Sequence, residues 1–405
     1  MRSLVLLLIL AATSINLATA DHWALIIAGS NTYYNYRHQA DVLHAACILR
    51  DHGIPSERII TMMYDDIAYN PANPTPGIVI NAINGTNVYP CATHDYTHHQ
   101  VNLTNFQGIM LGDGTVTGQR KVFETGPEDD IFIYFADHGG PGVFCFPYQN
   151  LYADDLNNLI IQMYENRRFR SMVIYMEACE SGSMFNGYLR PNISVYAVTA
   201  ANPDESSWGC CYDSYRQAYL GDVFSINWMW NSDRIAMRNT TIQEEFQKVR
   251  AMTNTSTVCE YGNLNVSNRL VQAFQGRQYN RTKALSKQDS SNSHISDVVP
   301  SHRIGLLDQI HKLENQMKKG YPDIDDVLLS EAWNQLTEHM DHFLMLREKY
   351  NARRPLNMHP VNQGCNSDTR VDLDCVRGLL SGYTYGLHRD IVLEYLSSDK
   401  TICRI

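Results

Sequence analysis

Five short apolar runs recur through the first half of the chain: residues 23–28 (WALIIA), 58–64 (RIITMMY), 131–136 (IFIYFA), 172–176 and 195–199. Each is too short for a helix, and rich enough in branched and aromatic residues to be a strand buried on both faces. Between them lie stretches with helical spacing, such as 39–51 and 155–166. This alternation predicts an α/β fold with a mostly parallel sheet under covering helices. Near Gly276 the texture changes to GRQYNRTKALSKQDSSNSHISD, a polar, serine-rich run that reads as a linker. Beyond it Leu306, Leu307, Ile310, Leu313 and Met317, then residues 327–346, return to helical spacing, which predicts a second, all-helical domain. No internal repeat interrupts this order.

The N-terminus sets the compartment. Arg2, the apolar run 4–10 and the small residues Ala18-Thr19-Ala20 read as a signal peptide, with a mature chain starting at Asp21. The apolar run is too short to span a bilayer, and no later stretch has the length and apolarity of a membrane helix. Seven sequons, at Asn84, Asn102, Asn192, Asn239, Asn254, Asn265 and Asn280, fit glycosylated surface loops of a secretory-pathway protein. A length of 405 residues and a hydrophobic content of 44% allow two domains with a proper core, and ten cysteines are too sparse for a disulfide-stapled miniature. The net charge of −10 is unevenly placed: residues 21–275 carry 26 acidic against 15 basic side chains, whereas 276–405 carry 17 of each. Nucleic-acid binding wants a basic patch, so that class is set aside.

The candidate chemistry sits at strand ends. The run 131–136 is followed by Asp137-His138-Gly139-Gly140, and VIYMEAC ends at Cys179. Catalytic groups of open α/β sheets collect at the carboxyl edge of the strands. A histidine 41 residues before a cysteine is close to the roughly 50-residue spacing of caspases, and opposite in order to papain. The flanking carboxylates Glu177 and Glu180 pose a difficulty, because negative neighbours oppose thiolate formation. The bland alternative is a core cysteine or half of a disulfide; a glycine-flanked histidine on a comparable strand end weighs against it.

EACESGS, the DHGG run, GSNTYYNYRHQADVLHA at 29–45, MMYDDIAYNPANPTPG at 62–77 and AANPDESSWG at 200–209 together resemble the legumain family, the asparaginyl endopeptidases among caspase-like cysteine peptidases. The resemblance runs continuously from about Trp23 to Gly276 and is weaker afterwards. It implies a caspase-like α/β fold with helices on both faces of the sheet, a signal peptide at 1–20, a catalytic domain at 21–276, an activation peptide at 277–315 and a helical C-terminal prodomain at 316–405. It implies Cys179 as nucleophile, His138 as general base, Asn35 as the support of that histidine, and the backbone N–H groups of Gly139 and Cys179 as oxyanion hole. Asp137 matches an aspartate that can cyclise to a succinimide. The pocket for a substrate asparagine falls on Arg37, His38, Glu177, Ser206, Ser207 and Asp222. A primary amide is donor and acceptor at once, so a pocket of both charge signs suits it, and Glu177 then reads as a recognition residue. Without that context Arg37 and Asp222 would read as an ordinary surface pair.

The same resemblance implies a zymogen that cleaves after asparagine, and after aspartate in acid, with peptide ligation as a side reaction. Acid would remove the C-terminal part from the segment 276–313 onwards, with asparagine at the cut; Asn280, Asn292 and Asn315 lie in or near it. Expected partners are protein and peptide substrates, the chain's own prodomain as inhibitor and cystatin-type inhibitors, in a lysosome-like or vacuole-like compartment or outside the cell. No cofactor or metal is expected. His94, His98 and His99 lack a matching carboxylate pattern and read as an exposed loop. Cys210-Cys211 read as a surface disulfide or exposed thiols. The prodomain has three cysteines, Cys365, Cys375 and Cys403, against four in vertebrate relatives, which supports one bridge, Cys375 to Cys403, and argues against a second. The competing reading is an inactive family member kept as a binding protein; intact Cys179, His138 and pocket positions argue against it.

Overall fold

The computed structural model describes residues 21–234, 239–277, 295–304, 365 and 371–381, with single positions at 389, 392, 393, 396, 397 and 403. The signal peptide, Asn280, Asn292, Asn315 and the helical pattern of 306–346 lie outside the described residues. The five apolar runs become β1 (His22–Ala28), β2 (Ile59–Met62), β3 (Asp130–Ala136), β7 (Ser171–Glu177) and β8 (Val195–Thr199). With β11 (Cys259–Gly262) they form a six-stranded sheet in the order β11-β8-β7-β3-β1-β2, parallel except at the β11–β8 edge.

Strand alternation explains why helices lie on both faces. Leu25, Ile27, Ile131, Ile133 and Phe135 point into one cluster with α2 (Leu103–Leu111) and α3 (Ala153–Glu165). Ala24, Ile26, Phe132 and Tyr134 point into the other with α1 (Tyr36–Asp51), α4 (Val223–Arg234) and α5 (Ile242–Met252). The mostly parallel sheet with two helical faces is the architecture expected from the sequence. No helix among the described residues is long and apolar enough to cross a membrane. Five of the sequon asparagines, at 84, 192, 239, 254 and 265, are exposed; Asn102 is half-buried, and its side chain caps α2 by accepting from Asn105 N.

Two small antiparallel sheets cover the carboxyl edge. One is β4 (Gly139–Gly140), β5 (Val143–Phe146) and β6 (Gln149–Tyr152). The other is β9 (Trp208–Asp213) and β10 (Ala218–Asp222), extended by β12 (Val299–Pro300). The segment read as a polar linker therefore has a structured end. Val299 and Pro300 pair with Gly209 and Trp208, and Ser301 N donates to Ser207 O at 3.0 Å. Ile304 is fully buried beside Gly209.

Candidate active site

Parallel register brings the two motifs together. Ala136 stands opposite Glu177, and Asp137 N donates to Glu177 O at 3.1 Å, so the strand extensions that carry His138 and Cys179 run side by side. Gly139 is required by this closeness: a Cβ there would stand 2.5 Å from Cys179 O and 2.9 Å from the Ala178 Cβ. Beyond Cys179 the chain reverses through Glu180, which adopts a left-handed conformation (φ 49°, ψ 22°), into the 3-10 turn Ser181–Met184. His138 and Cys179 are both buried.

The imidazole is oriented from the 3-10 turn Tyr33–Asn35 that leads into α1. His138 Nε2 donates to Asn35 Oδ1 at 2.8 Å, which leaves Nδ1 as the basic nitrogen. Burial, then the charges of Arg37, Arg389 and His302, hold His138 well below the ordinary histidine range. The His38 ring meets it edge-on at 5.0 Å between centroids, and His38 Nδ1 lies 3.3 Å from Asp137 Oδ1. Cys179 Sγ lies 3.2 Å from Ser206 Oγ and 3.6 Å from Ser207 Oγ.

The six positions expected to form the pocket lie near one another: Asp222 contacts Arg37 and His38, Ser206 and Ser207 contact Cys179, and Glu177 interacts with Asp222. Arg37 Nε donates to Asp222 Oδ1 at 3.0 Å with both side chains almost completely buried, so this is no surface pair. Ser225 N and Oγ donate to Glu177 Oε2 at 3.0 and 2.9 Å, which turns that carboxyl towards α4. The difficulty of two glutamates beside a thiol is thereby half removed: Glu177 is engaged elsewhere, and Glu180 faces His302 Nε2 at 3.3 Å. The guanidinium nitrogens Nη1 and Nη2 of Arg37 are buried with no hydrogen-bond partner among the described residues. Buried donors of that kind are costly unless a ligand satisfies them.

Sequence reasoning missed Asp41, whose Oδ1 accepts from Asn81 Nδ2 at 2.7 Å and whose Oδ2 accepts from Asp222 N at 3.3 Å. Asp41, Glu177 and Asp222 form a buried trio of interacting carboxyls, of which Asp222 is paired with Arg37. Burial and then the charge of Asp222 push both Asp41 and Glu177 well above the carboxylate range; burial also raises Asp222, but Arg37 opposes this. Asp222 is the member that best keeps its charge, because Arg37 is its direct partner. Asp41→Ala is expected to lower stability by about 1–3 kcal/mol, because it removes one of the two acceptors of the buried Asn81 amide and the acceptor of Asp222 N; thermal unfolding against wild type checks this.

Three further side chains at the site come from the chain after Gly276 and carried no signal in the sequence. His302 is buried, and its nitrogen lies within 4.8 Å of both Cys179 Sγ and a Glu180 carboxyl oxygen. Ser301 Oγ lies 3.4 Å from Asp222 Oδ1 and 3.3 Å from Ser207 Oγ. Arg389, also buried, donates to Phe146 O at 2.7 Å.

Three other expectations need correction. Cys210 and Cys211 are buried thiols in β9, 3.0 Å apart, rather than a surface pair. Both belong to the buried cluster that packs with α1 and α4. His94 is half-buried beside Asp65 and packed on Tyr89, whereas His98 and His99 are exposed as expected. Cys375–Cys403 forms as expected, but Cys365 is not left over: it is bonded to Cys259 in β11.

A thiol and an oriented imidazole on neighbouring strand ends suit a cysteine peptidase. The chain belongs to the Peptidase C13 family, which matches residues 22–277, and is a cysteine endopeptidase of the legumain type acting on proteins and peptides. It is 48% identical to human legumain over 297 residues, covering 73% of this chain and 68% of that protein. It is 44% identical to the delta-isozyme of the vacuolar-processing enzyme of Arabidopsis thaliana over 414 residues, covering 96% and 88%. It is 40% identical to a Schistosoma japonicum hemoglobinase over 292 residues, covering 72% and 68%.

Proposed function

We propose that the protein is a secretory-pathway zymogen that cleaves peptide bonds after asparagine. The observation that carries this reading is the buried Arg37 guanidinium with unpartnered Nη1 and Nη2, its Nε held by Asp222, whose charge also acts on the buried Glu177 carboxyl. A substrate amide would present its oxygen to Arg37 and its NH2 to the carboxyls. A charged aspartate would meet the Asp222 carboxylate as a like charge, so it becomes a substrate only when protonated.

In the proposed reaction His138 Nδ1 takes the thiol proton while Asn35 holds the opposite nitrogen. The Cys179 thiolate then adds to the carbonyl carbon, and the N–H groups of Gly139 and Cys179 stabilise the resulting oxyanion. Collapse transfers the proton to the departing amine and leaves a thioester. Water completes hydrolysis, and a second amine in its place gives ligation. Acid-activated protein should turn over an Ala-Ala-Asn reporter at neutral pH far faster than its Ala-Ala-Asp counterpart, with the difference narrowing in acid. Equal rates at neutral pH, or preference for lysine, would sink this pocket assignment.

The chain after Gly276 is proposed as the built-in inhibitor. Pairing of β12 with β9, His302 beside Cys179, and Leu393 packed on Gly140 support this. Arg377 adds ion pairs to Asp154 and Asp155 across the surface of α3, but such half-exposed pairs contribute about 1 kcal/mol at most. Histidines rather than carboxylates alone should set the pH response. Burial, then Arg37 and other neighbouring charges that include Arg389, hold both His38 and His138 well below their ordinary range. Because Arg389 belongs to the tail, uncovering the site removes one of the charges that hold these rings down and so eases their protonation. A histidine depressed in the covered form favours covering above about pH 6.5, and that contribution is lost as the pH falls, by about 1.4 kcal/mol per pH unit for each ring.

His302 opposes this. Burial pulls its imidazole down, but Cys179 and Glu180 outweigh burial and hold it well above the usual range, so its grip is complete in acid and lost only as the pH rises through the raised value. Two rings against one leave net proton uptake on release. Hydrogen exchange in the helix Leu373–Leu380 of the intact Cys179→Ala protein should therefore quicken between pH 6.5 and 5, after correction for intrinsic rates. Quickening only below about pH 4, the range of ordinary carboxyls, would contradict the histidine account. Such a response fits an acidic, lysosome-like or vacuole-like compartment, where cystatin-type inhibitors would be further partners of the opened site.

A further inference from the structure

The three disulfides do different things. Cys47–Cys91 lies within the catalytic part, and Cys375–Cys403 closes a loop of the C-terminal part on itself. Cys259–Cys365 joins one part to the other across 106 residues of sequence. We propose that Cys259–Cys365 is a thiol-labile anchor, a site whose reactant is a low-molecular-weight thiol or protein dithiol. It would keep the tail on the enzyme after the chain between the two cysteines is cut. The proposal rests on the zymogen reading above for its biological use, although its test does not.

The location fits an anchor. Cys259 is buried in β11, the edge strand of the main sheet, where it pairs with Thr199. Two residues on, Tyr261 Oη donates to Cys365 O at 2.6 Å, so the joined backbone is also fixed by a hydrogen bond. From this point the tail lays Val371 and Leu373 against Gly142 and Leu393 against Gly140, while Ser397 Oγ comes within 3.4 Å of His302 Nε2. Every bond between residues 260 and 364 lies inside the loop that the disulfide closes, so a cut anywhere in it opens a ring and releases nothing. A tethered tail stays at a millimolar-scale effective concentration, and its noncovalent contacts re-form after each opening. Proteolysis alone would thus give a nicked, still covered protein.

The chemistry balances as ordinary thiol–disulfide exchange. A thiolate attacks the sulfur of half-exposed Cys365 in preference to that of buried Cys259. The protein S–S bond breaks, a mixed disulfide forms on Cys365, and Cys259 leaves as a thiolate that takes a proton. A second thiol then resolves the mixed disulfide. In sum, two thiols are oxidised to one external disulfide, and the protein gains two thiols.

Cleavage can be supplied from outside, which separates the anchor from the question of self-cleavage. Full-length Cys179→Ala protein has its free thiols alkylated and is nicked with trypsin, for which the polar segment offers Arg277, Arg281, Lys283 and Lys287. On a denaturing gel without reductant, the catalytic and tail fragments should run as one species, confirmed by mass; a dithiol should convert it wholly to two. Two separate fragments without reductant would overturn the proposal. Cys259→Ser, nicked in the same way, should give two fragments without any dithiol, and a surviving joined species would equally overturn it. Cys365→Ser gives the same reading should Cys259→Ser fail to fold.

Discussion

Cys179→Ala is expected to lower kcat/KM on asparaginyl peptides by about 10⁴-fold to 10⁶-fold, the scale of losing a nucleophile whose partners act as a unit. Cys179 is the thiol on the strand extension beside His138, and the other free cysteines among the described residues, Cys145, Cys210 and Cys211, lie in small-sheet strands and belong to the apolar clusters. The variant should also keep its full length in acid if the activating cut is made by the protein itself. Reporter kinetics and intact mass after acid treatment check both outcomes; residual cleavage above about one part in 10³ would place the nucleophile elsewhere. His138→Ala should be similarly inactive while retaining slow alkylation of Cys179, since a thiol keeps some nucleophilicity without its base.

Asp222→Asn is expected to have the second largest effect. Arg37 would lose the carboxylate that it holds at 3.0 Å and remain charged in a dry site, where truncating one partner of a buried pair costs about 2–5 kcal/mol. That corresponds to roughly 30-fold to several-thousand-fold in kcat/KM after asparagine. Cys179 alkylation should change far less, because Asp222 does not touch the sulfur. A comparable fall in alkylation would mean that Asp222 supports the fold of the thiol loop rather than the substrate amide.

The strands and both catalytic motifs were legible in the sequence because their signals are local. An uninterrupted run such as IFIYFA has few alternatives to a buried strand, and the glycines after His138 mark a close approach. The proposed pocket could be read only through resemblance: Arg37, Glu177 and Asp222 lie on α1, β7 and β10 and meet by folding, at separations that no periodicity encodes. Asp41 was hidden for the same reason, since its partners Asn81 and Asp222 are 40 and 181 residues away. Ser301 and His302 follow closely on a polar, serine-rich run whose composition says linker, and only pairing of the intervening residues with β9 makes them part of the site. The cysteine count misled in one respect. Three prodomain cysteines suggested one bridge and a leftover, whereas the leftover Cys365 finds its partner in a strand of the other part.

Active-site labelling tests the asparaginyl pocket and the thiol together. Acid-activated protein is treated with two peptidyl electrophiles identical except for asparagine or lysine beside the reactive carbon, and the adduct is mapped by mass spectrometry. The asparaginyl probe should add one equivalent to Cys179 and protect the enzyme from further turnover, while the lysyl probe leaves Cys179 unmodified over the same interval. An adduct on any other residue, or equal labelling by both probes, would contradict the assignment of Cys179 beside a pocket built from Arg37, Glu177 and Asp222.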